Sequence, residues 1–138
     1  MTGKYHLILD AKGRLIVPSK LREELGDVFY VTIGLEGCLS VYTEAGWNAI
    51  VEKINALPRA SAHRARYLFA NCAKCEPDKQ FRFLIPTELR QYASLQENVT
   101  MIGVGDYAEI WDADTYQANE AEQMTPEALR LWMDELNI

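Results

Sequence analysis

The sequence predicts a β-rich α+β fold in which two related units pack into one pseudo-symmetric body. Two observations carry that prediction: a motif stated twice, sixty-eight residues apart, and runs of β-branched and aromatic residues separated by turn signals and short helical stretches. The first copy reads Asp10-Ala11-Lys12-Gly13-Arg14-Leu15-Ile16-Val17-Pro18-Ser19-Lys20-Leu21-Arg22. The second reads Asp78-Lys79-Gln80-Phe81-Arg82-Phe83-Leu84-Ile85-Pro86-Thr87-Glu88-Leu89-Arg90. Asp, Arg, Pro, Leu and Arg keep their relative places, and the apolar positions between them are apolar in both. Further on, Val31-Thr32 falls on Val99-Thr100, and after one extra residue Gly34 falls on Gly103. Leu39-Ser40-Val41-Tyr42 then meets Ala108-Glu109-Ile110-Trp111, and Trp47 meets Tyr116. The units span 5–47 and 76–119, each too small to bury a secure core alone.

Within the first unit, Tyr5, Leu7 and Leu9 alternate with His6, Ile8 and Asp10, which fits a strand of mixed burial. Leu15 to Val17 forms the next strand, and residues 10–14 are the tip of a hairpin between them, with Gly13 free to take the positive φ such turns use. Pro18 opens a short helix carrying Leu21 and Leu25 that stops at Gly26. Val28–Ile33 and Cys38–Tyr42 read as two more strands around Gly34-Leu35-Glu36-Gly37. The linker, 48–75, is helical: Trp47, Ile50, Val51, Ile54 and Leu57 recur at helical spacing until Pro58 interrupts. A second helix is expected over 60–71, with Arg59, Arg64 and Arg66 on a solvated face. In the last segment, 120–138, Thr125-Pro126-Glu127 supplies a cap, a first-turn proline and a first-turn acid. Leu129, Trp132, Met133 and Leu136 follow on one helical face, a stripe expected to pack within the chain, with a neighbouring subunit as the alternative.

Composition bounds the function. With 138 residues, 49% of them hydrophobic and 25% charged, the chain is of ordinary globular character and long enough for one domain. There is no run of apolar residues long enough for a membrane span, and Met1-Thr2-Gly3-Lys4-Tyr5-His6 has no signal-peptide core, so a cytoplasmic protein with no membrane partner is expected. The formal net charge is −6, yet the charge is polarised. Residues 1–22 carry Lys4, Lys12, Arg14, Lys20 and Arg22 against Asp10 alone, whereas from Asp106 onward nine acids face only Arg130. Screening over about 8 Å at physiological salt lets a basic patch act independently of a distant acidic tail.

Cys38, Cys72 and Cys75 are too few for a disulfide framework. Cys72-Ala73-Lys74-Cys75 lacks the second ligand pair of a structural zinc site, and only His6 and His63 exist to complete one. No metal and no cofactor are expected. Nor is there a Ser/His/Asp set, a phosphate-cradling loop or a carboxylate dyad, so a non-enzyme without a small-molecule substrate is expected.

The DxxxR motif followed by an apolar triplet, Pro and Leu-Arg, taken with Gly3-Lys4-Tyr5, Cys75-Glu76, Ile102-Gly103-Val104-Gly105 and Glu109-Ile110-Trp111, resembles the MraZ family. Members of that family carry two SpoVT-AbrB-like modules, here 5–47 and 76–119. The resemblance spans nearly the whole chain. It implies a pseudo-dimeric swapped-hairpin (AbrB-like) β-barrel with flanking helices, ring-like homo-oligomers, nucleoid association, and transcriptional regulation of the division and cell-wall gene cluster, including the protein's own promoter. One position departs from the family pattern: Phe81 stands where the second motif usually has glycine. A bulky side chain suits positive φ poorly, so the second tip is expected to differ in shape and Arg82 to matter less than Arg14.

A guanidinium at the end of a tip can reach phosphates or grip the acceptor edge of guanine with two parallel donors. Arg14, Lys12, Arg82 and Lys79 are therefore the candidate contacts to double-stranded DNA, and Asp10, Gly13 and Asp78 the turn-bracing residues. Arg22 and Arg90 lie on the short helices, where pairing with Glu23, Glu24 or Glu88, or capping a helix end, competes with DNA contact. One pair of tips offers few contacts, so an oligomer reading repeated DNA boxes is expected to bind through avidity. The alternative is an antitoxin-like module whose barrel binds DNA and whose acidic C-terminus binds a protein.

Overall fold

The computed structural model describes all 138 residues. The first copy of the repeat folds as β1 (Lys4–Ile8), β2 (Arg14–Ile16), α1 (Arg22–Leu25), β3 (Phe29–Ile33) and β4 (Leu39–Thr43). Helices α2 (Glu44–Asn55), α3 (Arg59–Ala62) and α4 (Ala65–Ala70) lead to the second copy, β5 (Ala73–Cys75), β6 (Arg82–Leu84), α5 (Thr87–Tyr92), β7 (Asn98–Val104) and β8 (Tyr107–Asp112). Helices α6 (Ala113–Gln123) and α7 (Pro126–Leu136) close the chain.

Six strands form one antiparallel sheet in the order β1-β7-β8-β4-β3-β5, and β2 pairs with β6 in a separate two-stranded ribbon. The order is a palindrome of equivalent strands. β4 and β8 meet at the centre, Leu39 opposite Ile110, while the first strand of each copy pairs with the third strand of the other: β1 with β7 and β5 with β3. The strands flanking each tip are therefore not the paired hairpin that local sequence suggests. Around the first tip the backbone closes with the bond from Asp10 N to Arg14 O, 3.0 Å. A unit of some forty residues cannot bury both faces of its own hairpin, and pairing across the copies puts both sets of apolar side chains into one core.

The strands close no barrel. β1 and β5 remain the edges of the six-stranded sheet, and they differ in length for a local reason. In the first copy pairing runs on past β1, Leu9 N donating to Glu97 O at 2.8 Å. In the second copy Pro77 stands in the place of Leu9 and has no N–H to donate, so β5 stops after three residues.

The core is a cluster of 19 buried residues between the inner face of the sheet and the ribbon with its two short helices. Leu15 and Phe83, directly opposite one another in the ribbon, both point inward. Phe83 meets Phe29 of β3 edge to face, with ring centroids 5.0 Å apart. Leu21 and Leu25 from the first copy and Leu89 from the second complete this layer.

The other face of the sheet is covered by helices. Thr43 caps α2 by accepting from Gly46 N at 3.0 Å, and the buried Trp47 stacks on Tyr30 at 5.6 Å. Asp112 caps α6 in the equivalent way, accepting from Thr115 N at 3.2 Å, and Tyr116 meets Trp111 edge-on.

The linker expected to be helical through 75 ends instead in β5, which pairs with β3 as part of the second copy, and two further helical expectations are corrected. The helix expected over 60–71 is split into α3 and α4, because the chain between them tightens to i→i+3 bonds, Arg66 N to His63 O and Tyr67 N to Arg64 O. The stripe of α7 does not pack within the chain. Thr125, which accepts from Ala128 N, starts this helix, but none of its residues is buried and Trp132 is 54% exposed. No helix is long and apolar enough to cross a membrane.

Candidate nucleic-acid interface

The two tips are the same object twice. In the first, Asp10 Oδ1 accepts from Lys12 N at 3.0 Å and Arg14 N at 2.8 Å, while Oδ2 accepts from Arg14 Nε at 2.8 Å. In the second, Asp78 Oδ1 accepts from Gln80 N at 2.9 Å and Arg82 N at 3.0 Å, while Oδ2 accepts from Arg82 Nε at 2.8 Å. The backbone bonds match as well: Gly13 N to Asp10 O at 3.0 Å and Phe81 N to Asp78 O at 2.9 Å.

Phe81 therefore does not change the shape of the second tip, contrary to the expectation from its bulk. Its φ is 62° where Gly13 has 82°. The strain of a positive φ, about 1–2 kcal/mol for a residue with a Cβ, is outweighed by a carboxylate that satisfies three N–H donors at once.

Of the guanidinium donors of its arginine, each bracing carboxylate uses only Nε–H. A guanidinium has five N–H donors, so both terminal nitrogens of Arg14 and of Arg82 keep their hydrogens for a ligand. The side chains are comparably accessible, 26% exposed for Arg14 and 33% for Arg82. Hydrogen bonds hold both acids below their ordinary value of 3.8, with the backbone N–H of the arginine the largest cause in each. They stay ionised at neutral pH and keep the guanidinium planes fixed.

The ribbon places the two arginines together. Arg14 lies opposite Leu84 and Arg82 opposite Ile16. Opposed residues share a face, so with Leu15 and Phe83 inward, Arg14, Ile16, Arg82 and Leu84 all face out. Ile16 and Leu84 are about half exposed, 49% and 54%. The arginines are diagonal neighbours, roughly 7–8 Å apart at that register. Beyond the ladder, Val17 N donates to Phe81 O at 2.8 Å and Ile85 N to Gly13 O at 2.9 Å, so the base of each tip is bonded to the other copy. Lys12 and Lys79 are exposed in the turns themselves.

Ile16 and Leu84 were not among the sequence candidates, although the alternation Arg14-Leu15-Ile16-Val17 is the signal that places them. Arg22 and Arg90 are also placed differently from expectation. Neither pairs with Glu23, Glu24 or Glu88; each reaches the tip of the other copy. Arg22 lies over the Phe81 ring at 3.7 Å and donates from Nε to Val17 O at 3.0 Å. Arg90 donates to Thr87 Oγ1 at 2.8 Å, and its guanidinium lies so close to Gly13 that a Cβ there would sit 2.4 Å from it. No signal within one copy announces this exchange.

Cys38 and Cys75 are buried and Cys72 partly so. Burial pushes the Cys72 thiol up to about 11 and that of Cys75 up to about 12, so neither is a thiolate at neutral pH.

Fold and site together define a duplicated α+β domain, interlocked through its first strands and presenting a ribbon with two braced arginines. The sequence model of the family described as "MraZ protein", whose description compares it with antitoxins, matches the chain twice, over residues 1–68 and 68–130. The chain is 45% identical to the transcriptional regulator MraZ of Lachnoclostridium phytofermentans, with 88% of each chain covered. It is 44% identical to that of Caldicellulosiruptor saccharolyticus over 100% of this chain and 99% of the relative, and 44% identical to that of Ligilactobacillus salivarius over 88% of each. The chain belongs to the MraZ family.

Proposed function

We propose that this protein is a sequence-specific, DNA-binding transcriptional regulator that lays the outer face of the β2–β6 ribbon in the major groove. A two-stranded ribbon fits that groove, and an arginine with two unoccupied terminal nitrogens matches guanine O6 and N7. The observation that supports this most is the pairing of two arginines, each fixed through Nε and open at both terminal nitrogens, on one outward face. Arg14 and Arg82 read base edges, Ile16 and Leu84 make apolar contacts between them, and Lys12 and Lys79 reach flanking phosphates. Asp10, Gly13 and Asp78 hold the tips in shape. The reciprocal pairing of first strands is read as a single-chain form of the AbrB-like swapped hairpin.

Two diagonal arginines are a small recognition surface. Several copies in a ring-like homo-oligomer, bound to repeated boxes, supply the remaining affinity. The named relatives support regulation of transcription, and the family likeness points to the division and cell-wall gene cluster and the protein's own promoter. Such a protein acts in the cytoplasm at the nucleoid, by binding alone and without a catalytic step.

Fluorescence-anisotropy titration of a duplex from upstream of its own gene, against a scrambled duplex, tests the proposal. The parent protein should prefer the upstream duplex, and Arg14→Ala with Arg82→Ala should abolish the preference. Replacing Lys12 or Lys79 with Ala should weaken both duplexes alike and lower the salt slope by about 1. Equal affinity of parent and double arginine variant at matched salt would sink the assignment.

An antitoxin-like reading is favoured by one observation, the acid-rich and wholly exposed α7. Truncation after Gln123 separates the two. Unchanged DNA affinity would favour a tail reserved for a protein partner, whereas a large loss of avidity favours the oligomeric regulator.

A further inference from the structure

An apolar stripe that its own chain leaves uncovered needs a cover, and α7 carries the spacing of a docking helix. Leu129, Trp132, Met133 and Leu136 stand at i, i+3, i+4 and i+7, the anchor pattern of a helix that lies in a groove. All four are exposed. The helix itself carries Glu127, Asp134 and Glu135 against Arg130 alone.

The same molecule presents a groove of opposite character. Between the end of α2 and the pair α3–α4 lies a depression of about 560 Å³ whose lining includes Ile54, Leu57 and Phe69 together with Arg59 and Arg66. Residues 53–66 contain Lys53, Arg59, Arg64 and Arg66 and no acid. Leu57 and Phe69 remain exposed there, so the groove too is apolar and uncovered.

We propose that α7 of one copy docks in the α2–α4 groove of a second copy, its stripe on Leu57 and Phe69 and its acids against Arg59 and Arg66. Helix and groove are both apolar and uncovered and are opposite in charge, and both are present on every copy. They are also different surfaces, so each copy can give its helix to one neighbour and receive that of another, a head-to-tail contact. Repetition of such a contact generates a closed ring or an open filament. The inference rests on the oligomeric part of the proposed function and assigns the interface that would build it.

Trp132→Asp removes the central anchor, and Arg59→Glu with Arg66→Glu reverses the groove. Neither change touches the buried core, and circular dichroism and thermal melting of each full-length variant should match the parent. By native mass spectrometry, the parent should be a multimer and each variant a single chain of 15.7 kDa. Mixing the two variants leaves one intact helix and one intact groove, so the mixture should give a dimer and nothing larger. A parent multimer whose mass Trp132→Asp leaves unchanged would overturn the interface while sparing the oligomeric reading. A mixture that stays monomeric, or regains the full multimer, would overturn the head-to-tail contact. A parent that is monomeric at every concentration would overturn both.

Discussion

Gly13 and Phe81 occupy the same place in the two tips, and the molecule accommodates them in opposite ways. At Gly13 the absent side chain makes room for Arg90 from the other copy. At Phe81 the ring fills the space, and Arg22 from the other copy lies over its face at 3.7 Å. A stacking contact of this kind contributes about 0.5–1 kcal/mol at an exposed site, a partial offset to the strain of φ 62°. Around these unlike residues the hydrogen bonds of Asp10 and Asp78 are the same, bond for bond. The shape of a tip is thus set by the carboxylate and its three donors, while the residue at the positive φ decides how the neighbouring arginine is seated.

The largest effects are expected at the centre of the ribbon, where both tips share a foundation. Phe83→Ala should cost about 3–5 kcal/mol and Leu15→Ala about 2–5 kcal/mol, measured by chemical denaturation, and each should loosen both tips. A loss confined to one tip, read from amide exchange, would show that the ribbon does not couple them.

At the outward face the tips should be equals in recognition. Arg14→Ala and Arg82→Ala should each lower affinity for the specific duplex by roughly 5- to 150-fold, the range of about 1–3 kcal/mol for one bidentate contact. The two losses should agree within about threefold, since the bracing geometry is shared. A loss at Arg14 more than about tenfold larger would restore the inequality that the Phe81 substitution suggests from sequence.

Exchanging the odd residues probes the seating. Gly13→Phe should lower the melting temperature by several degrees, because it adds about 1–2 kcal/mol of backbone strain and drives a Cβ into the Arg90 guanidinium. Phe81→Gly should change it little, relief of strain balancing loss of the Arg22 stack. A larger drop for Phe81→Gly than for Gly13→Phe would reverse this assignment of strain.

The smallest effects are those of pH and thiol chemistry. Asp10 and Asp78 ionise below 3.8 in the folded chain. Their bracing is complete above the unfolded value and is lost as pH falls through the folded ones. The Nε–H resonances of Arg14 and Arg82 should therefore hold steady down to pH 4 and shift together below it. Iodoacetamide at pH 7.5 should modify Cys75 and Cys38 far more slowly than free cysteine, because burial pushes both thiols up to about 12.

Much of this was legible beforehand because the repeat constrains both copies at once. Asp10 and Arg14, four residues apart in both copies, foretell a braced turn. Thr125-Pro126 foretells the start of α7, and Trp47 with Ile50 and Ile54 foretells α2. Helix α6 had only an indirect signal, the alignment of Tyr116 with Trp47. The strand partners had none in the residue pattern, only the swapped hairpin that the family resemblance implies: Tyr5, Leu7 and Leu9 alternate equally well against β2 or against β7. Pairing depends on which surface buries more, and no window of one copy contains the answer. The same holds for Arg22 and Arg90, whose nearest acids in sequence are not their neighbours in space.

The sequence by itself determined the repeated Asp–Arg turn, because a carboxylate that braces an arginine four residues on is a contact within one short segment. Only the tertiary structure decided that β1 joins β7, that Leu15 meets Phe83 across a pseudo-twofold ribbon, and that Arg14 and Arg82 share one outward face. A forty-residue unit cannot bury its own strands, so the faces that remain for a ligand are fixed only after each copy has covered the other.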